Sequence, residues 1–273
     1  MTSATRRSDP ARRGRNPAGA AVRIAAALLV AALLRSAAAA GAEKSSLDPL
    51  PAGRALAELS FGFKTGFSLS QHAGTEERGS EYTVTSEWRT AFAASAFIIF
   101  PVTSRFALQQ EIAYVQKGSR QDIGVDILEI PTVLDVSYDM DYIEIPVLLR
   151  FELLQWSRNS IYSLAGTALS LKVRDRYTLS GVIDDGEQTV PLRADDDMSE
   201  VDMFDFCFVY GLGLEISIRG RNFFAEHRFT MGWNTLAMPT YAYVPFGDER
   251  ILIDNEPVPL KNQSHLILVG IRF

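Results

Sequence analysis

The chain has 273 residues, 27 Lys and Arg against 33 Asp and Glu, a formal net charge of −6, 47% hydrophobic residues and one Cys. The hydrophobic content excludes a disordered chain. The acidity argues against a nucleic-acid partner, and the single Cys excludes an internal disulfide or a zinc site built from several thiolates. Mean hydropathy is only +0.03, and no apolar run reaches the roughly 18–20 residues of a membrane-spanning helix.

Residues 1–42 have the layout of a secretory signal peptide. Arg6, Arg7, Arg12, Arg13, Arg15 and Arg23 form a basic region, Ile24 to Leu34 an apolar one, and small residues follow from Ala37 to Ala42. Ala40-Gly41-Ala42 is the preferred cleavage site, with 38–40 as the alternative. Removing the segment doubles the net negative charge of the remainder. Residues 43–57 read as a short linker and 58–273 as one domain.

The domain alternates with a period of two. Leu59, Phe61, Phe63, Phe67 and Leu69 share one face of a first strand, and Ser60, Gly62, Lys64, Gly66, Ser68 and Ser70 the other. Further strands follow at Glu87 to Phe100, Arg105 to Lys117, Asp141 to Leu153 and Ile161 to Val173, the last with two faces that are hard to tell apart. The strongest alternation spans 202–218. Phe204, Phe206, Phe208, Tyr210, Leu212, Leu214, Ile216 and Ile218 lie on one side there, with Asp205, Cys207, Gly211, Gly213 and Glu215 on the other. Arg221 to Trp233 and Ser264 to Phe273 complete eight strands, with no ninth found.

Connections alternate between short (around 101–104, 155–159 and 220) and long (71–86, 119–139, 174–201 and 237–263). Several long structureless loops are unusual in a compact soluble domain. The short/long alternation fits an eight-stranded, antiparallel, up-and-down transmembrane β-barrel with periplasmic turns and extracellular loops. Such a wall hides its hydrophobicity from an average, because each strand is apolar toward lipid and polar toward the lumen. Trp88, Trp156 and Trp233 fall at strand ends, as interfacial girdles require. The inward faces carry Lys64, Arg105, Glu111, Glu144, Arg150, Glu215, Glu226, Arg228 and Arg272. Eight strands leave an interior that side chains just fill, so these charges should pair into a plug. A soluble lipocalin-like barrel is the alternative, with the polarity inverted.

The chain ends with Ile267, Val269, Ile271 and Phe273 alternating up to the terminal aromatic, a pattern resembling the signal read by the barrel-assembly machinery. Phe61 to Gly66, Glu111 to Gly118, Gly211-x-Gly213 and above all Tyr142-Ile143-Glu144-Ile145-Pro146-Val147-Leu148-Leu149-Arg150-Phe151 resemble the PorT-like outer-membrane β-barrel family. The resemblance spans about 57–273. It implies a small outer-membrane barrel, and it does not single out the secretion role of the family's name-giving member. Pro146, lacking a ladder donor, suggests a bulge or bend.

Catalytic signals are weak. Phe229 stands where a His227-based lipid-modifying site would need Ser or Thr, and Asp139-Met140-Asp141 lacks an Asp-x-His partner. Closure of the barrel could bring His72 and His265 together as metal ligands. The long connections hold 20 Asp and Glu against 7 Lys and Arg, most densely at Asp195, Asp196, Asp197 and Glu200, whose oxygens could take divalent ions. The expected protein is a non-enzymatic, cofactor-free outer-membrane barrel in contact with outer-membrane lipid, with a structural or surface-interaction role. The alternatives are a narrow porin and an outer-membrane lipid-modifying enzyme.

Overall fold

The computed structural model describes residues 59–73, 82–127, 130–184, 189–198, 201–238, 241–246, 249–254 and 258–273. The expected signal peptide and linker lie outside these residues. Eight strands close into a ring. They are β1 (Ser60–Ala73), β3 (Arg89–Pro101), β4 (Phe106–Ile127), β5 (Ile130–Trp156), β6 (Asn159–Asp184), β8 (Phe204–Ile218), β9 (Arg221–Gly232) and β13 (Val258–Arg272), each antiparallel to its neighbours. β1 pairs with β13 from Gly62↔Arg272 to Ala73↔Lys261 and with β3 on its other side, so no edge is left open in the ring. Five shorter strands lie outside the ring: β2 (Tyr82–Glu87), β7 (Thr189–Asp196) and β10 (Leu236–Met238) pair with ring strands, and β11 (Tyr241–Phe246) and β12 (Glu249–Asp254) follow on from β7.

Short connections share one end. β5 and β6 are joined by Ser157-Arg158, and β8 and β9 by Arg219-Gly220. Arg219 (φ 52°) and Gly220 (φ 80°) both have positive φ, the geometry of a two-residue turn that matches strand twist. Between β3 and β4, Thr103 Oγ1 accepts from the backbone N–H of Arg105 and of Phe106 at 3.2 and 3.0 Å.

The other end differs from the expected loops. β4, β5 and β6 run on for 22, 27 and 26 residues, far beyond the girdle, so most of 119–139 and part of 174–201 are strand. β2 pairs with β4, β7 with β6, and β11 with β7 and β12, which extends one wall of the barrel into a projecting sheet.

Polarity inverts along this wall. In the lower part of β5, Glu144 and Arg150 are buried in the lumen while Leu149 faces out. Higher up, Val136, Tyr138, Met140 and Tyr142 are buried and Asp135 is exposed. They join Tyr177, Leu179, Leu192, Ala194, Met198, Val201, Leu236 and Leu260 in an apolar cluster over the lumen. The inversion falls at a register shift between Asp141 and Tyr142, where Asp141 pairs with Arg174, Tyr142 pairs with Lys172, and Val173 is the extra residue. Below that level the surroundings are apolar and the strands present apolar residues outward. Above it the surroundings are water and the ordinary rule of an apolar interior returns.

Pro146 does not make the expected bulge. The β4–β5 ladder lapses between Gln110↔Val147 and Ala113↔Glu144 and resumes in the same register. Gln110 Nε2 instead donates to the Pro146 carbonyl at 3.1 Å.

Candidate functional site

The lumen is the chemically distinctive region. Alternation puts β1, β4 and β9 side chains into it at one level, giving a four-charge cluster around Glu111. Lys64 Nζ donates to Glu111 Oε1 at 2.7 Å and to Glu226 Oε1 at 3.0 Å. Arg228 grips Glu111 with two nitrogens, Nη1 to Oε2 at 2.9 Å and Nη2 to Oε1 at 2.6 Å, and its Nε faces Glu226. Ser95 donates to Glu111 at 3.1 Å and Tyr162 to Glu226 at 3.1 Å. Two cations and two carboxylates thus cancel in a place where an unpaired ion would cost several kcal/mol.

Toward the short turns lies a second group. Arg150 pairs with Glu152 at 2.8 Å and Glu215 at 2.9 Å, and Arg272 also meets Glu215. The Arg150 guanidinium lies 3.6 Å from the Tyr162 ring centroid, which links this group to the central one. Toward the projecting sheet lies a third. Lys117 pairs with Glu144 at 2.6 Å and sits 3.8 Å from Cys207 Sγ. Ser170 donates to Glu144 at 2.9 Å, and Asn262 to Asp205 and to the Tyr142 hydroxyl, each at 3.1 Å. Between the central and third groups a cavity of about 10 Å³ is lined by Glu111, Glu144, Arg228 and Thr230 among others. It has room for no more than about one water.

Eight of the nine lumen charges read from the sequence lie in these groups. Arg105 does not: it is exposed in the β3–β4 turn, one residue before β4 begins. Its sequence position extrapolates the inward parity of Glu111 past the end of the strand, where parity no longer orients a side chain. Lys117, Asp205, Cys207, Tyr162 and Asn262 belong to the lumen network beyond the nine charges expected from the sequence. Lys117 shares parity with Glu111, and Asp205 and Cys207 share it with Glu215, so that signal was present.

The remaining candidates separate. His72 is buried on the inward face and His265 lies on the outward face, so closure does not bring them together. His227 is the neighbour of His265, with Nε2 and Nδ1 3.1 Å apart, and Trp88 packs on His265 at 5.4 Å. His72 Nδ1 instead lies 2.6 Å from Ser119 Oγ. Asp195 pairs with Arg176 at 3.4 Å in the open, and Glu200 lies outside the described residues. Among the described residues no three potential ligands converge on a metal position. Val269, Ile271 and Phe273 follow the outward face of the last strand, and Phe273 stacks on Phe61 at 5.6 Å. Trp88, Trp156 and Trp233 are exposed near strand ends.

The family model described as "Outer membrane protein beta-barrel domain" matches residues 44–237. The chain belongs to this family. It is an outer-membrane protein. No curated protein matches it. Many solved structures are similar at low identity, among them three outer-membrane proteins. OprG from Pseudomonas aeruginosa is 13% identical, covering 78% of this chain and 95% of its own, with a TM-score of 0.39. Ail from Yersinia pestis is 13% identical, covering 78% and 98%, with a TM-score of 0.32. The outer membrane protease OmpT from Escherichia coli is 7% identical, covering 85% and 99%, with a TM-score of 0.34.

Proposed function

We propose that this outer-membrane barrel is a closed structural element whose lumen is a charge-paired plug and whose projecting sheet is a surface for contacts outside the cell. The observation that carries the reading is the Lys64–Glu111–Arg228–Glu226 cluster, its side chains between 0% and 4% exposed, which joins β1, β4 and β9 across the lumen. Below and above it lie two further polar groups, and over them the apolar cluster around Tyr138 and Met140. A hydrated ion would have to break several of these pairs to pass.

A non-enzymatic role agrees with the one hydroxyl–imidazole pair described. Ser119 and His72 are 0% and 1% exposed, and a nucleophile needs access to its substrate as well as a base. Lipid is the barrel's surrounding partner. The outward Val269, Ile271 and Phe273 would be the residues read by the assembly machinery.

Purified protein inserted into a planar lipid bilayer tests the plug. The expected record has no single-channel steps. Reproducible steps of uniform size from the unaltered protein would establish the narrow-porin reading instead.

A further inference from the structure

The outward face of the barrel carries a groove of about 660 Å³ between β8, β9, β13 and β1. Strand register builds it row by row. Leu214, Ala225, Val269 and Thr65 are successive partners across the four strands, and Ile216, Phe223, Ile271 and Phe63 form the next row toward the periplasm. Ala225 and Thr65 are small side chains in a face otherwise made of large ones, and both line the groove. The row below is different. Ile218 pairs with Arg221, whose guanidinium lies 5.8 Å from the Phe273 ring centroid, and Phe273 stacks on Phe61. The groove therefore opens downward onto an aromatic and cationic rim.

The cations at this rim are unneutralised. Arg219 and Arg221 are both exposed, and among the described residues neither has a carboxylate partner. Arg219 also occupies a left-handed position (φ 52°) that Gly, Asn or Asp would fill with less strain. Arg105 and Arg158 stand exposed in the other two short turns. The periplasmic rim is thus basic, whereas the long connections at the other end are acidic.

We propose that this groove is a binding site for a glycerophospholipid of the inner leaflet, one acyl chain lying over Ala225 and the phosphodiester held by Arg221 and Arg219. The rows fix the orientation. The apolar part lies on the membrane side of the rim and the cations at headgroup level, the order in which a phospholipid presents its chain and its charge. A second barrel docked on the same face would bury the apolar rows but leave the two guanidiniums without an anion.

Native mass spectrometry of the detergent-solubilised barrel with added phosphatidylglycerol tests the site. The unaltered protein should retain one lipid in preference to further ones. Arg219→Gln and Arg221→Gln should each weaken retention about fivefold, the effect of one basic residue at a membrane surface. Arg105→Gln, on the other side of the ring, should leave it unchanged. Ala225→Phe, which fills the groove without altering charge, should abolish retention of that one lipid. Folding of each variant is checked by gel mobility before and after heating, and should Ala225→Phe not fold, the two arginine variants decide. Equal retention by Arg105→Gln and Arg221→Gln would overturn the proposal. So would a dimer that Ala225→Phe converts to monomer.

Discussion

Arg228 and Glu111 face each other from opposite sides of the ring, joined by two parallel hydrogen bonds at 2.6 and 2.9 Å. Four steps around the sheet separate β9 from β4 in either direction, so the pair spans a full diameter. Removing one member strands the other in a buried site. Glu111→Ala should destabilise the barrel by about 3–5 kcal/mol, read as a lower guanidinium midpoint in detergent or lipid. Replacing the whole cluster by apolar residues of similar size should recover much of that loss. A Glu111→Ala barrel as stable as the original would show that the cluster carries little of the fold.

Gly118 fixes where the β4–β5 hairpin can pack. Its φ of 147° is open to glycine alone, and a Cβ there would lie 1.9 Å from the Tyr138 carbonyl oxygen. Gly118→Ala should cost on the order of 1–3 kcal/mol. The temperature at which the folded band disappears on a gel should fall accordingly. An unchanged transition would mean the backbone relaxes freely at this position.

Cys207 reports on access to the lumen. It is 2% exposed, beneath Ser170 at 3.4 Å and Lys117 at 3.8 Å. A charged thiol reagent should leave it unmodified in the folded barrel and modify it once the chain is unfolded in denaturant. Labelling of the folded protein within minutes would require a water path through the charged layers.

His227 and His265 place two polar rings on the lipid side, where each relieves the other by a hydrogen bond. His227→Leu and His265→Leu should therefore not be additive. The double variant should be more stable than the sum of the singles by about 0.6 kcal/mol, the average for interhelical hydrogen bonds in a membrane. Strict additivity would show that the two rings do not interact.

Alternation made the eight ring strands and their lipid face legible. Phe61, Phe63 and Phe67 are all more than half exposed, as their shared parity requires. The Ile161–Val173 strand resisted because its inward face holds Tyr162 and Leu164, which pack inside while Tyr162 spends its hydroxyl on Glu226. The upper halves of β5 and β6 are harder to see in the sequence for a different reason. The same periodicity continues there with its sign reversed, and at Asp141, Tyr142 and Val173 a bulge shifts the register as well. On β5 the inward parity is kept and only its polarity reverses, whereas on β6 the extra Val173 also moves the inward positions from Tyr162 and Leu164 to Tyr177 and Leu179. Which cations meet which carboxylates was not legible either, since pairing across a lumen depends on register around the whole ring.

The central cluster draws its members from β1, β4 and β9, with Lys64 and Glu226 162 residues apart in the chain and Glu111 and Arg228 117 apart. Each half of the sequence holds one cation and one carboxylate of it, but the Arg228–Glu111 and Lys64–Glu226 bonds join one half to the other. A sheet that has zipped from β1 through β6 holds Lys64 and Glu111 but neither Glu226 nor Arg228. The two-nitrogen grip of Arg228 on Glu111 and the Lys64–Glu226 bond form only when the last strands swing round to meet the first. Slow, all-or-none seam formation is the kinetic signature of so non-local a core, and it makes the charges a built-in check that the cylinder has been completed.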